Sequence, residues 1–181
     1  MSFPTRRLRR LRINEKMRSL VQETTLQPTD LICPVFVQEG IDSKIQVESM
    51  SEIEKISNLK IPAIMLFGIP EKKDEVGTSA FDEKGIVQKA IAQIKENFGD
   101  KMLVMADVCL CQYTSTGHCG IIQNNKIDND TSNETLAKIA VSQAKAGVDV
   151  VSPSAMMDGQ VASIRKALDD SGFSDVSIMS H

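Results

Sequence analysis

Three cysteines and one aspartate carry the most specific chemistry in this sequence. Asp107-Val108-Cys109-Leu110-Cys111 is followed a few residues later by Gly117-His118-Cys119-Gly120. Side chains on a β-strand alternate between faces. A strand running to residue 111 therefore places Asp107, Cys109 and Cys111 on one face, and Val108 and Leu110 on the other. The apolar pair meets covering helices, while the acid and the thiols point inward at the C-terminal end of the strand. That end is where parallel α/β proteins build their sites. The glycines around His118-Cys119 let the chain fold a third sulfur back onto the pair. Three thiolates suit a soft, four-coordinate metal, with zinc the default, and they leave a fourth position open as catalytic sites do. His118, next to Cys119, is expected as an alternative ligand or as a group behind the ligands. The competing readings are a redox thiol pair and plain burial, since a free Cys packs as a small hydrophobe. Cys109, Cys111 and Cys119 are three of only four cysteines, and their spacing favours metal. Cys33, in an apolar run before Pro34, reads as core.

The elements that must hold these residues alternate. Residues 31–37, 63–69, 102–110, 148–152 and 176–180 are apolar runs rich in β-branched residues, the look of strands buried on both faces. Between them lie helical patterns. Ser51 and Glu54 resemble a capping box that opens a short helix ending near Asn58. Residues 82–98 place Ile86, Val87, Ala90, Ile91 and Ile94 on one face, with Gly99 as the stop. Residues 134–146 and about 157–170 follow, closed by Gly147 and Gly172. Strand and helix in strict alternation imply a parallel sheet covered by helices. A doubly wound sheet would be complete with five strands, whereas a (β/α)8 barrel takes about 250 residues. No Gly-x-Gly-x-x-Gly or P-loop follows any strand, which removes the usual nucleotide reason for the doubly wound choice.

Composition narrows the class further. The chain has 181 residues, 41% hydrophobic and 25% charged, with a formal charge of −3. That is too apolar for disorder and too poor in Cys for a disulfide scaffold, and no run of about 18 apolar residues would span a membrane. Without an export signal the expected compartment is the reducing cytoplasm, which keeps thiols free for metal. Arg6, Arg7, Arg9, Arg10 and Arg12 form a basic arm, interleaved with Leu8 and Leu11. Such an arm suits nucleic acid, a membrane surface or an acidic partner. Nothing downstream looks like a nucleic-acid module, so the arm reads as an oligomer contact. A short amphipathic helix over residues 14–25 follows. The expected organisation is residues 1–28 as arm and short helix, and residues 29–181 as one strand–helix domain.

These residues resemble a known family. The segment from Asp107 through Cys109 and Cys111 to Gly117-His118-Cys119-Gly120 looks like the zinc loop of the porphobilinogen synthases, or δ-aminolevulinic acid dehydratases. The Arg-rich start to Arg12 resembles the family's arm. Asp30 to Val37, Leu66-Phe67-Gly68-Ile69-Pro70 with Lys73-Asp74, and Ser152-Pro153-Ser154-Ala155-Met156-Met157-Asp158-Gly159 resemble its first, second and fourth strands and loops. The resemblance selects an incomplete TIM barrel of about five strands over the doubly wound sheet. It implies condensation of two 5-aminolevulinate molecules into porphobilinogen, in tetrapyrrole biosynthesis, by a homo-oligomer joined through the arm. It also implies Cys109, Cys111 and Cys119 as zinc ligands, with magnesium only at a site outside this chain. Asp107 is expected to take or relay a proton, or only to support the metal. Ser154 is expected to hydrogen-bond substrate or to cap the next helix. Met156 and Met157 read as packing, and Asp158-Gly159 as the shape of a helix start.

The resemblance also has gaps. The family's two Schiff-base lysines lie on later strands, and neither can be assigned in this sequence. Gln160 stands where many members have Arg, and residues 47–51 lack a Pro-Gly often found there. The 181-residue chain by itself is therefore expected to be inactive, with open sheet edges and an uncovered inner face. A non-catalytic zinc-binding or assembly module is the alternative.

Overall fold

The computed structural model describes residues 6–40 and 43–181, without the side chains of residues 43–49. Its centre is a parallel sheet of β1 (Ile32–Gln38), β2 (Ala63–Ile69), β3 (Leu103–Val108), β6 (Val150–Pro153) and β7 (Ser177–Ile178). A separate antiparallel hairpin pairs β4 (Ile121–Gln123) with β5 (Lys126–Asp128). The helices are α1 (Glu15–Leu20), α2 (Ser43–Asn58), α3 (Ile86–Phe98), α4 (Asn129–Lys145) and α5 (Gln160–Asp170).

The strand order decides between the two architectures. The sheet runs β1-β2-β3-β6-β7 with no reversal. A doubly wound sheet reverses direction at a switch point, so that its helices cover both faces. Right-handed crossovers that always step the same way put every helix on one face instead, and the sheet curves as a barrel does. This is an open five-strand arc of the (β/α)8 type. The alternation of side chains shows it. Ile64, Leu66, Val104, Ala106 and Val151 are fully buried on the helix side. On the opposite face Ala63, Met65, Met105 and Val150 form a small cluster with Phe67 and Met179. At its β1 edge, Phe36 stacks on Phe67 with ring centroids 5.4 Å apart and remains 66% exposed.

Several boundaries differ from the sequence reading. The helix expected to open at Ser51 begins at Ser43, so Ser51 lies in its interior and the Ser–Glu pair is not a cap. Residues 47–51 are part of that helix rather than a loop. Helix α1 is shorter than expected, capped by the Asn14 side chain, which accepts from the Met17 N–H at 2.9 Å. Neither α1 nor the 3-10 turn Leu8–Arg12 has a buried residue. Helix α3 starts only after Gly85, and α5 only after Gly159. The β4–β5 hairpin turns on Asn124 and Asn125, both at positive φ (50° and 62°), in the tight turn that asparagine tolerates. Asp128 then caps α4, accepting from the Thr131 N–H at 2.8 Å, which starts that helix earlier than its apolar pattern suggests.

Candidate metal centre and its acid

Strand β3 stops at Val108, before the cysteines. The Leu110 carbonyl accepts from the N–H groups of Tyr113 and Thr114, both at 2.9 Å, so the chain turns at once. The sulfurs therefore converge through a turn and not, as a longer strand would have it, through the pleat. Cys109 Sγ lies 3.4 Å from Cys111 Sγ, and the Cys119 sulfur joins them with all three within 4.8 Å of one another. In a tetrahedral site with metal–sulfur bonds of about 2.3 Å, sulfurs sit about 3.8 Å apart. The trio can hold one metal ion and leave a fourth position for another ligand. Cys109 is 1% exposed, and Cys111 and Cys119 are half-buried. Burial, and then the neighbouring thiols, push the Cys111 thiol up to about 12 and raise that of Cys119 as well. Crowded sulfurs that resist deprotonation alone are a donor set suited to a cation, which reverses that preference. His118 does not join them: it is exposed, and its carbonyl accepts from the Thr114 hydroxyl at 2.9 Å.

Close packing holds the cysteine loop in place. Tyr113 lies against Gly68 of β2, where an added Cβ would sit 2.2 Å from the phenol oxygen and 2.7 Å from a Val87 methyl. At Gly120, beside Cys119, a Cβ would meet Ile127 at 2.7 Å, Met157 at 2.8 Å and the Ser132 hydroxyl at 3.0 Å. Met157 is thus packing, as expected, whereas Met156 is 62% exposed and packs little. Cys33 is half-buried against the main core.

The loop after β2 fastens the other side. The Asp74 N–H donates to the Tyr113 carbonyl at 3.3 Å, and the Ser115 N–H to the Asp74 carbonyl at 2.8 Å. The Asp74 carboxylate accepts from the N–H groups of Thr78 at 3.0 Å and Val76 at 3.1 Å. Hydrogen bonds from Thr78, side chain first, hold it below its ordinary value of 3.8. A carboxylate depressed on folding contributes stability that is complete above the ordinary value and is lost as the pH falls toward the folded one. Thermal melts of Asp74→Asn at pH 7 and near pH 3 should show a smaller acid-induced drop than the parent. An equal drop in both proteins would contradict the role of Asp74.

Asp107 sits at the end of β3 on the face away from the helices, in register with Ser152 of β6, and is 4% exposed. Its Oδ1 accepts from Ser154 Oγ at 2.5 Å and its Oδ2 from Gln112 Nε2 at 2.9 Å. Burial raises its pKa, and these two hydrogen bonds pull it part of the way back. Ser154 follows β6 directly and does not cap α5. That position belongs to Gly159, in a left-handed conformation at φ 78°. Gln160 braces the same loop by donating to the Ala155 carbonyl at 2.8 Å. Sequence reasoning missed Gln112 and Gln143. Gln143 Nε2 donates to the Asp107 carbonyl at 2.8 Å. Its signal was present: Gln143 follows Leu136 and Ile139 at helical spacing on a buried face, where a lone amide needs a reason. Gln112, in an irregular turn, has no such periodic signal.

Comparison with known proteins accords with this geometry. The family model for delta-aminolevulinic acid dehydratase matches residues 5–181. The chain is 51% identical to the delta-aminolevulinic acid dehydratase of Methanothermus sociabilis, which it covers over 60% of that protein's length. It is 49% identical to that of Bacillus subtilis (strain 168), covering 59% of it. In both alignments 100% of the chain is matched, so it spans about three fifths of the length of these relatives. The crystal structure of the Toxoplasma gondii ME49 enzyme (porphobilinogen synthase), in complex with the reaction product porphobilinogen, superposes with a TM-score of 0.88 at 35% identity. That match covers 97% of this chain and 54% of the other. Family model, relatives and fold agree along almost the whole chain, and the chain belongs to the delta-aminolevulinic acid dehydratase family.

Proposed function

We propose that the protein carrying this chain condenses two 5-aminolevulinate molecules into porphobilinogen, and that this chain supplies the zinc-holding side of the site. The observation that supports this most is the Cys109–Cys111–Cys119 trio at the end of the parallel strands, beside the hydrogen-bonded pair of Asp107 on β3 and Ser154 just after β6. When bound, zinc supplies a Lewis acid with an open position for a substrate amine or oxygen. The chain's own residues do the rest of the local work. Asp107 holds or accepts a proton at its carboxylate, oriented by Ser154 and Gln112. The buried end of β3 keeps water from that carboxylate.

None of the five parallel strands carries a lysine. In this reading the amines that form Schiff bases with the substrate ketones come from polypeptide outside these strands. The basic arm joins copies of the protein, any magnesium belongs to a site outside this chain, and the reaction runs in the cytoplasm. Among the described residues no helix is long and apolar enough to cross a membrane.

The test is porphobilinogen formation from 5-aminolevulinate. The 181-residue polypeptide alone should give none. The same polypeptide fused to the remaining part of the Bacillus subtilis relative should give turnover that a zinc chelator abolishes. Turnover by the polypeptide alone would contradict the lysine argument, and chelator-resistant turnover by the fusion would contradict the metal.

A further inference from the structure

Helix α4 touches both limbs of the cysteine loop, and it does so with polar side chains that a core-facing helix would otherwise not carry. Along its buried face run Ser132, Leu136, Ile139 and Gln143, a stripe at helical spacing with an apolar middle and a polar residue at each end. Ser132 is 0% exposed and Gln143 1% exposed. Burying a hydroxyl or an amide costs free energy unless hydrogen bonds compensate, so each residue needs a partner worth having.

The partners are backbone groups of the site. Gln143 holds the carbonyl of Asp107, two positions before Cys109. Ser132 Oγ accepts from the Ile121 N–H at 2.9 Å, two positions after Cys119, and donates to the Asp128 carbonyl at 2.5 Å. Gly120 lies against the same hydroxyl, where an added Cβ would stand 3.0 Å from it. One rigid helix thus ties the strand end that leads into Cys109 and Cys111 to the limb that carries Cys119. The third sulfur arrives on a loop, and a loop reaches a fixed position only where something rigid holds it.

We infer that Ser132 is a positioning residue: through its hydrogen bond to Ile121 it sets where the Cys119 sulfur stands relative to Cys109 and Cys111. The inference rests on the zinc reading above and deepens it. Ser142 provides the control, because it is a buried serine of the same helix with comparable bonds, to the Ile139 carbonyl and from Gln88, away from the cysteines.

The experiment measures zinc affinity by chelator competition, and the near-ultraviolet thiolate absorption of the cobalt-substituted protein, for the parent, Ser132→Ala, Ser132→Thr and Ser142→Ala. Ser132→Ala should lower zinc affinity about 10- to 100-fold, the range for groups that orient metal ligands. Its cobalt–thiolate absorption should weaken and shift as the Cys119 sulfur is held less well at the ion. Ser132→Thr, which keeps the hydroxyl, should recover most of both. Ser142→Ala should lower the melting temperature as much as Ser132→Ala but leave the metal readouts unchanged. Parent-like zinc affinity and cobalt spectrum in Ser132→Ala would overturn the inference. So would an equal loss in Ser142→Ala, which would make the effect one of stability. A parent that binds no zinc would overturn the zinc reading, and the inference with it.

Discussion

Replacing Cys109 with alanine should weaken zinc binding by on the order of 10³-fold. A protein–zinc site of four ligands is worth about 10–16 kcal/mol near neutral pH, so one thiolate out of three protein donors carries several of those. Cys109 is the most buried of the trio, and its sulfur sits 3.4 Å from that of Cys111. Removing it leaves a two-sulfur edge that cannot enclose a tetrahedral ion. Cys119→Ala should weaken binding by a similar factor while disturbing the core less, because Cys119 is only half-buried. Cys33→Ala is the matched control, since Cys33 packs on the core far along the chain from the cluster. Zinc content after dialysis and affinity by chelator competition measure the effect. If both cluster variants keep the zinc of the parent, the sulfurs do not hold the metal.

Asp107→Asn is the second large effect. In the active assembly it should lower kcat by about 10²- to 10⁴-fold, the usual worth of a positioned acid or base. Zinc affinity should stay within a few-fold of the parent, because the cluster of possible ligand atoms comprises the three sulfurs without Asp107. The substitution is nearly isosteric, and both neighbours can adapt. The Ser154 hydroxyl can turn to accept, and the Gln112 amide can present its oxygen. Charge and proton capacity are therefore lost with little change in packing. Asp107→Ala adds a structural cost on top, because it removes the acceptor of two half-buried donors, Ser154 and Gln112. Ser154→Ala should act in the same direction but less, since it removes one of the carboxylate's two hydrogen bonds. Full activity in Asp107→Asn with Asp107→Ala impaired would reduce the residue to structural support. Loss of zinc in Asp107→Asn would instead tie it to the metal itself.

These expectations show how unevenly the site is written into the chain. Cys109 and Cys111 are readable because thiols two residues apart in a chain poor in cysteine are chemically unusual, whatever the backbone does between them. The route by which they meet was not readable. An apolar run through Leu110 looks like continued strand, and the early end of β3 comes from carbonyl–amide bonds between Leu110 and residues 113 and 114. Ser154 had two readings, and the start of α5 at Gln160 removed the capping one. The partner it took instead, Asp107, lies 47 positions away in sequence. Gln112 joined the same carboxylate from a turn that has no periodicity to reveal it.

What the sequence determined by itself was type and alternation: three thiols of a kind that could hold a metal, the buried strands, and the helices between them. Those follow from local demands, the period-two and period-3.6 burial of side chains and the chemistry of sulfur. What only the tertiary structure decided was proximity. It settled that the strands follow one another in unreversed order, that three sulfurs stand within 4.8 Å, and that one helix carries Ser132 and Gln143 to opposite limbs of the site. Partners far apart along the chain are chosen by the path of the backbone through the fold, and no short window of sequence contains that path.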